Sequence, residues 1–396
     1  MKGVNTSRTL AAFAAMATLT ACGAALADPS HATSQNGGAA SRADAELDSA
    51  LKKLVAMRGG PLGVIAIVQR GDELKVHRFG VAILDGNQPP RANEHMRVAS
   101  VAKAFSGAAA LSLVSKKELS LDDTIGKRLP GLPAAWSAVT LRQLLGHTSG
   151  LPDFSRSVQF RAALQASPLT ALGPRKLLEF VEDQPLNFQP GSQYKYSNSD
   201  NIVVGLMVRA ATKTGYGRAL KNEVYRPLGL TRTSLPAGAE LPEPFIHGYD
   251  NDPSQNPPED LSEIAAAGWS WASGGVVSSP ADLNRFIRGY VGGQLFDSTT
   301  RAEQRQVIEG AHSEPPGPGK NSAGLAIFRY ETQCGTMWGH TGNTAGYTQF
   351  TAASANGQRS VTVSINEQLT LTAGRPAAFE ALRQAEELAV CAAFAK

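Results

Sequence analysis

The stretch that decides the fold is ASVAKAFSG, residues 99–107, which sets a serine and a lysine three residues apart among small and apolar neighbours. On a helix, positions i and i+3 share a face, so Ser100 and Lys103 lie side by side with the hydroxyl in reach of the amine. A serine is a poor nucleophile until something takes its proton, and a lysine does so only when its own pKa is lowered. The string alone decides little, because S-x-x-K recurs by chance at this chain length. The chain carries its own control in DSALKK (48–53), where Ser49 and Lys52 share the spacing. There Glu46, Asp48 and Lys53 mark an exposed helix face, on which a lysine stays charged.

The surroundings of Ser100 are those of a large globular protein. The chain has 396 residues, 42% hydrophobic and 18% charged, enough for one large or two modest domains with a substantial core. Residues 1–27 read as an export signal: Lys2 and Arg8 form the positive start, TLAAFAAMATLTA the apolar stretch, and ALA ends at Ala27. Within it, LTAC (19–22) also fits a bacterial lipoprotein box with Cys22 as the lipidated residue. Either processing route puts the mature protein outside the cytoplasm, periplasmic or extracellular. The apolar run is too short for a permanent membrane span. Without Lys2 and Arg8, the 38 basic residues fall to 36 against 34 acidic ones, and no basic stripe interleaved with aromatics exists, so nucleic-acid binding is not supported. With Cys22 removed or lipidated, Cys334 and Cys391 are an even pair in an oxidising compartment. A bridge between them would contribute roughly 4 kcal/mol in the chain-entropy model; the alternative is two unrelated buried thiols.

Working outward, residues 28–42 read as a polar linker and 44–57 as a short helix. Two strand-like runs follow, GVIAIVQR (63–70) and ELKVHRFGVAIL (73–84), joined by the hairpin signal Gly71-Asp72. The Ser100 helix continues to about Ser115. From 120 to about 260 helical patterns dominate, with proline-rich loops at 251–259 and 314–320. Ser279 is an N-cap candidate with Pro280 as first helical residue and Asp282 in the first turn. Strands return in AGLAIFRY (323–330), TMWGHTG (336–342), GYTQFTAAS (346–354) and RSVTVSIN (359–366), before a helix at about 375–391. The fold class expected is α/β (α+β): one antiparallel sheet built from segments 43–120 and 260–396, flanked by helices, with a mostly helical subdomain inserted at 121–259. Ser100 falls where the two parts meet, a usual place for a cleft.

A serine–lysine pair needs a second proton-handling group, and a strand that grips the substrate and donates a backbone N–H to the developing oxyanion. For the first, YKYSNSDNI (194–202) offers Tyr196-Ser197-Asn198 in a turn before an apolar helix. The overlapping Ser199-Asp200-Asn201 is explained as a first helical turn, and Tyr249-Asp250-Asn251 lies in a loop that reads as plain surface. For the second, Lys213-Thr214-Gly215 ends a helix and lacks a strand, whereas His340-Thr341-Gly342 lies in strand context with small residues that admit a substrate backbone.

Taken together, ASVAK, LLGHTSGLPD (144–153), FQPGSQYKYSN (188–198) and GHTGNTAGY (339–347) resemble the serine β-lactamase/penicillin-binding-protein superfamily. The branch is the one holding class C β-lactamases, D-alanyl-D-alanine carboxypeptidases and β-lactamase-fold esterases, and the match covers roughly residues 45–391. CGTMWGHTG and the late Cys391 look most like the secreted D-Ala-D-Ala carboxypeptidases, which carry His in the third box and bond two cysteines at comparable places. The resemblance implies an acyl-enzyme on Ser100, with Lys103 and Tyr196 sharing the proton shuttling and the immediate base left open. It implies that Asn198 holds Lys103 and the substrate amide, and that backbone N–H groups of Ser100 and Asn343 form the oxyanion hole. It further implies that His340, Thr341 and Gly342 grip the substrate, beside Trp269 as a wall or as core packing. Asn343 stands where close relatives carry threonine, and Arg329 is the nearest arginine to the expected carboxylate clamp. A free imidazole titrates near ~6.5, so His340 is expected neutral at pH 7 unless an anionic substrate raises its pKa. The LLGHTSGLPD stretch is expected to be scaffold, with no catalytic role for His147.

The expected partners are peptidoglycan stem peptides, β-lactams or small ester and amide substrates, with the chain a monomer, no cofactor and no metal. Rival readings are an esterase or class C-like β-lactamase on the same fold, and a catalytically silent cell-wall-binding protein. A Ser-His-Asp hydrolase finds only Gly268-Trp269-Ser270-Trp271-Ala272, which lacks the closing glycine, and no H-E-x-x-H is present.

Overall fold

The computed structural model describes residues 29–370 and 375–396, so the export-signal and Cys22 readings lie outside the described residues. The polar stretch expected as a linker is helical from Pro29 and runs into the expected helix as α1 (Pro29–Ala56). The helix runs through Gly37 and Gly38 despite their low helix propensity. The two runs after it form β1 (Gly63–Arg70) and β2 (Glu73–Gly80), turning at Gly71, whose φ of +58° favours glycine. The second run ends at Gly80, short of the expected 84.

The reactive-serine segment forms a 3₁₀ turn, Ala99–Val101, that feeds α2 (Ala102–Ser115). This helix is apolar all round and buried from Ala102 to Leu113, with Phe105 stacked 3.7 Å from Phe286. Alongside it runs α3 (Asn198–Thr212), pinned where Asn201 Nδ2 donates to Ser106 Oγ at 2.9 Å. Lys213 closes α3 in the left-handed region at φ +53°, as a helix stop rather than a substrate strand. Beyond several short helical turns lies α4 (Pro280–Gly292), capped by Ser279 as its sequence predicts.

Six strands complete the sheet: β3 (Ile308–Glu309), β4 (Lys320–Ala323), β5 (Phe328–Thr332), β6 (Gly335–Thr344), β7 (Tyr347–Ala353) and β8 (Arg359–Ile365). The expected strand AGLAIFRY is thus a corner. Ala326 sits at φ +53° and its N–H donates to Leu145 O, so Ala323 folds back opposite Phe328. The chain closes with α5 (Pro376–Phe394).

The sheet order is β2-β1-β8-β7-β6-β5-β4-β3, all antiparallel. Its two sequence ends are sewn together by β1 and β8, from Val64 opposite Ile365 to Arg70 opposite Arg359. Alternation along β1 sends Val64, Ala66 and Val68 to a core under α1 and α5, with Leu47, Leu51, Leu54, Leu382 and Ala385. Ile65 faces the other way, into a second core shared by α2, α3, α4 and the helical insertion. Cys334 and Cys391 are bonded, with Cα atoms 5.0 Å apart, tying α5 to the β5–β6 turn. Strand β6 therefore reaches the seam between the two cores, against the turn that carries Ser100.

Candidate active site

Ala99 enters the Ser100 turn at φ +50°, a conformation that costs a residue with a side chain about 1 kcal/mol and that lifts Ser100 to the mouth of α2. Below it, Lys103 is fully buried, and its Nζ meets three oxygens: Ser273 O at 2.7 Å, Asn198 Oδ1 at 2.8 Å and Ser100 Oγ at 3.0 Å. Two of these can only accept. A neutral amine thus gives its two N–H groups to Asn198 and Ser273 and keeps its lone pair for the Ser100 hydroxyl. Burial lowers the Lys103 pKa to about 7, against the opposing effects of Asp153, Glu314 and, when ionised, Asp200.

Tyr196 crosses the top of this group, with Lys103 Nζ 5.0 Å from its ring centroid. Burial drives the phenol well above its ordinary pKa, and its interaction with Ser100 works in the opposite direction. The contact falls short of full hydrogen-bond geometry and leaves the hydroxyl without another partner. Asn198 is held rigidly: its Nδ2 donates to Ser155 Oγ at 2.9 Å and to Asp153 Oδ2 at 3.1 Å. It holds Lys103 as expected, but the amide group expected to bind substrate is already committed. Asp153 and Ser155 were not singled out as site residues. The one signal for them was the short polar D-x-S turn, in which Ser155 N–H and Oγ both bond Asp153 Oδ1. The Ser273 carbonyl is a main-chain group and leaves no letter in a sequence.

The opposite wall is β6. A Cβ on Gly342 would strike Val98 O and lie 3.2 Å from Ser100 N, so the strand passes directly over the nucleophile's amide. His340 is buried with Nδ1 2.5 Å from Thr341 O and its ring edge-on to Phe328. Burial lowers its pKa to about 3, and Lys103 and His147 push the same way, so the imidazole is neutral. Thr341 differs from expectation: its hydroxyl bonds Pro315 O and Ser313 Oγ, both at 2.7 Å. Asn343 turns its side-chain amide to Leu369 O at 2.7 Å. Arg329 is not brought to the site. Its guanidinium donates to Glu309 at 2.6 Å and to Glu331 and Ser322 at 3.3 Å, on strands toward the sheet's far edge.

Beside β6 lies a cavity of about 640 Å³, walled by Leu164, Pro168, Ile264 and Trp269 and reaching Ser270, Gly274 and Asn343. Trp269 both walls it and packs edge-on against Phe160. The rival motifs lie elsewhere. Ser49 and Lys52 are exposed on α1, and Tyr249, expected at the surface, is buried and accepts a hydrogen bond from Leu84 N–H. Among the described residues no cluster of metal-ligating side chains exists.

A family model described as Beta-lactamase matches residues 47–386. Penicillin-binding protein 4* of Bacillus subtilis (strain 168) is 27% identical over 235 residues, which cover 57% of this chain and 51% of that protein. Protein flp of Staphylococcus aureus (strain NCTC 8325 / PS 47) is 25% identical over 58% of this chain and 45% of its own length. The chain thus spans about half the length of the curated relatives it matches. Among solved structures, a D-stereospecific amidohydrolase from Streptomyces sp. superposes with a TM-score of 0.72 at 26% identity, over 82% of this chain and 94% of that one. The D-amino acid amidase from Ochrobactrum anthropi SV3, complexed with D-phenylalanine, shares the fold with a TM-score of 0.75 at 22% identity, over 88% and 98%. With its antiparallel sheet, its Ser100–Lys103 turn and a family match over most of its length, the chain belongs to the beta-lactamase family of serine hydrolases.

Proposed function

We propose that the protein hydrolyses amides of D-amino acids or D-peptides through an acyl-enzyme on Ser100. The observation that carries this is the Lys103 amine, buried, bonded to two obligate acceptors and facing Ser100 Oγ at 3.0 Å. Lys103 is the base that takes the Ser100 proton, and Tyr196, whose phenol is protonated at rest, gives its proton to the leaving group and regains one from the Lys103 ammonium. Backbone N–H groups of Ser100 and Asn343 receive the oxyanion, each donor being worth ~3 kcal/mol. Water then releases the acyl group. The D-stereospecific amidohydrolase supports a D-configured substrate, and the penicillin-binding relative supports acylation by a β-lactam. The cavity beside β6, apolar along Leu164, Pro168, Ile264 and Trp269 and polar at Arg97 and Gln165, supports a substrate group with an apolar body.

D-alanyl-D-alanine carboxypeptidase action on peptidoglycan peptides, with penicillin binding, is one form of this chemistry. A second form, an amidase or esterase whose leaving group carries no carboxylate, is favoured by a specific observation: Arg329 and the Thr341 hydroxyl are already engaged, and His340 is neutral. An exported location belongs to the proposal, supported by the Cys334–Cys391 bridge. The test compares D-alanine amide with a peptide ending in D-Ala-D-Ala, with Ser100→Ala alongside. The amide is expected to react at least about tenfold faster by kcat/KM, as loss of a buried ion pair to substrate dictates. Faster release of D-Ala from the peptide would return the assignment to the carboxypeptidase.

A further inference from the structure

His147, expected to be scaffold, holds three consecutive residues of the loop that carries Tyr196. Its carbonyl accepts from Lys195 N–H at 2.9 Å, and its ring lies 4.6 Å from the Tyr196 ring. Its Nδ1 accepts from Ser197 N–H at 3.4 Å. The residue does this from φ +53°, a backbone conformation that side chains disfavour and that the surrounding contacts must enforce. The same Nδ1 lies 2.8 Å from Oδ2 of Asp200, a fully buried residue of α3 whose Oδ1 accepts from Ser149 Oγ at 2.5 Å.

A backbone N–H can only donate, so the Ser197 contact at 3.4 Å is met by a lone pair on Nδ1 and opposed by a proton there. A proton on the Asp200 carboxyl satisfies that contact, the single Nδ1 lone pair then serving the Asp200 O–H at 2.8 Å and, more weakly, the Ser197 N–H. We propose that Asp200 is a neutral carboxylic acid whose O–H fixes His147 as its Nε2–H tautomer, and that the two form a positioning pair for Tyr196. The inference rests on the proposed role of Tyr196 in proton transfer.

Burial works in the direction the geometry requires: it raises the Asp200 pKa well above the carboxylate range and lowers that of His147 to about 3. The charged groups facing the pair are Lys103 of α2, Asp153 of the neighbouring loop and Glu314 across the cleft, with His340 of β6 and the phenols of Tyr194 and Tyr196 also close. An ionised Asp200 would hold the Lys103 proton in place and raise its pKa. A neutral Asp200 withdraws that contribution, so Lys103 gives up its proton at a lower pH than it would beside an ionised Asp200, and the pair serves both proton-handling groups.

The test is hydrolysis of N-acetyl-D-alanine amide, whose leaving amine must be protonated, by the full chain as a function of pH, in Asp200→Ala, Asp200→Asn and His147→Phe, each checked by thermal unfolding. The Asn amide can donate to His147 Nδ1 and accept from Ser149. Asp200→Ala and His147→Phe are expected to lower kcat at least about tenfold with KM within about threefold, since the proton donor is misplaced and not the substrate. Asp200→Asn is expected to restore kcat to within about threefold of the original and to leave the acid limb of the pH profile where it was. A downward shift of that limb by more than about half a unit in Asp200→Asn would mean that a negative charge had been removed, and would overturn the proposal. Full activity in His147→Phe would overturn it as well. A Ser100→Ala protein as active as the original would instead overturn the underlying reading, and this inference with it.

Discussion

At the scale of single residues, the site works through the different ways burial acts on a lysine and a tyrosine. Burial disfavours charge, so it lowers the amine and raises the phenol, and two groups that would both be protonated in water become a base and an acid at one pH. With Lys103 at about 7, kcat/KM for a neutral ester is expected to rise through pH 7 as the amine loses its proton, then to level off. A profile flat from pH 5 to 9 would show that Lys103 is not the base. Tyr196→Phe removes a buried hydroxyl with no fully formed hydrogen bond, so melting temperature should hold or rise while activity falls ~10²–10⁴-fold. Activity and melting temperature measured on one preparation check both halves. Much of this was legible in the letters: Ser100, Lys103, Tyr196, Asn198 and His340 lie in strings whose context separates them from the decoys at Ser49, Lys213 and Tyr249. What was not legible is occupancy. Thr341 and Asn198 have the expected types and positions, yet a loop carbonyl at Pro315 and a carboxylate at Asp153 have already taken their polar atoms.

At the scale of elements, the decisive contact is between a strand and a turn. Gly342 lets β6 lie against Val98 and the Ser100 amide with no side chain between them. Gly342→Ala would push the strand off the turn, and displacement of about 1 Å at a reacting centre costs ~10²-fold in rate. The expected outcome is a folded protein, by circular dichroism, with kcat/KM down by about that factor; undiminished activity would separate β6 from the oxyanion site. Element boundaries were readable wherever pattern and punctuation agreed, as in β1, β7, β8 and the Ser279 cap of α4. They failed where tertiary contact overrode pattern. AGLAIFRY alternates like one strand, but Leu145 captures the Ala326 amide and folds it into a corner. Residues 29–42 look like part of a linker by composition and are nonetheless helical, in α1.

At the scale of the whole molecule, the two chain ends build one sheet, and the helical insertion closes over the apolar face that the sheet leaves. That layering was predictable from strands at both ends with helices between them. The helix α5 carries a cost the sequence did not announce, since Glu386 lies buried in it with its pKa raised to about 8. A carboxyl whose folded pKa lies above its unfolded value stabilises below about pH 4.5 and loses that contribution as pH rises through about 8. Glu386→Gln should therefore stabilise by on the order of 4 kcal/mol at pH 8 and by less than about 1 kcal/mol at pH 5, read by denaturant unfolding at both values. Equal effects at the two pH values would mean the carboxyl is ionised throughout. The whole arrangement serves one event, the transfer of an acyl group to Ser100, and intact-mass measurement after a brief exposure to a fluorescent penicillin or a slow activated ester observes it directly. The expected result is one added acyl group per chain, mapped to the peptide containing Ser100 and absent in Ser100→Ala; an adduct on another residue, or hydrolysis that survives Ser100→Ala, would contradict it.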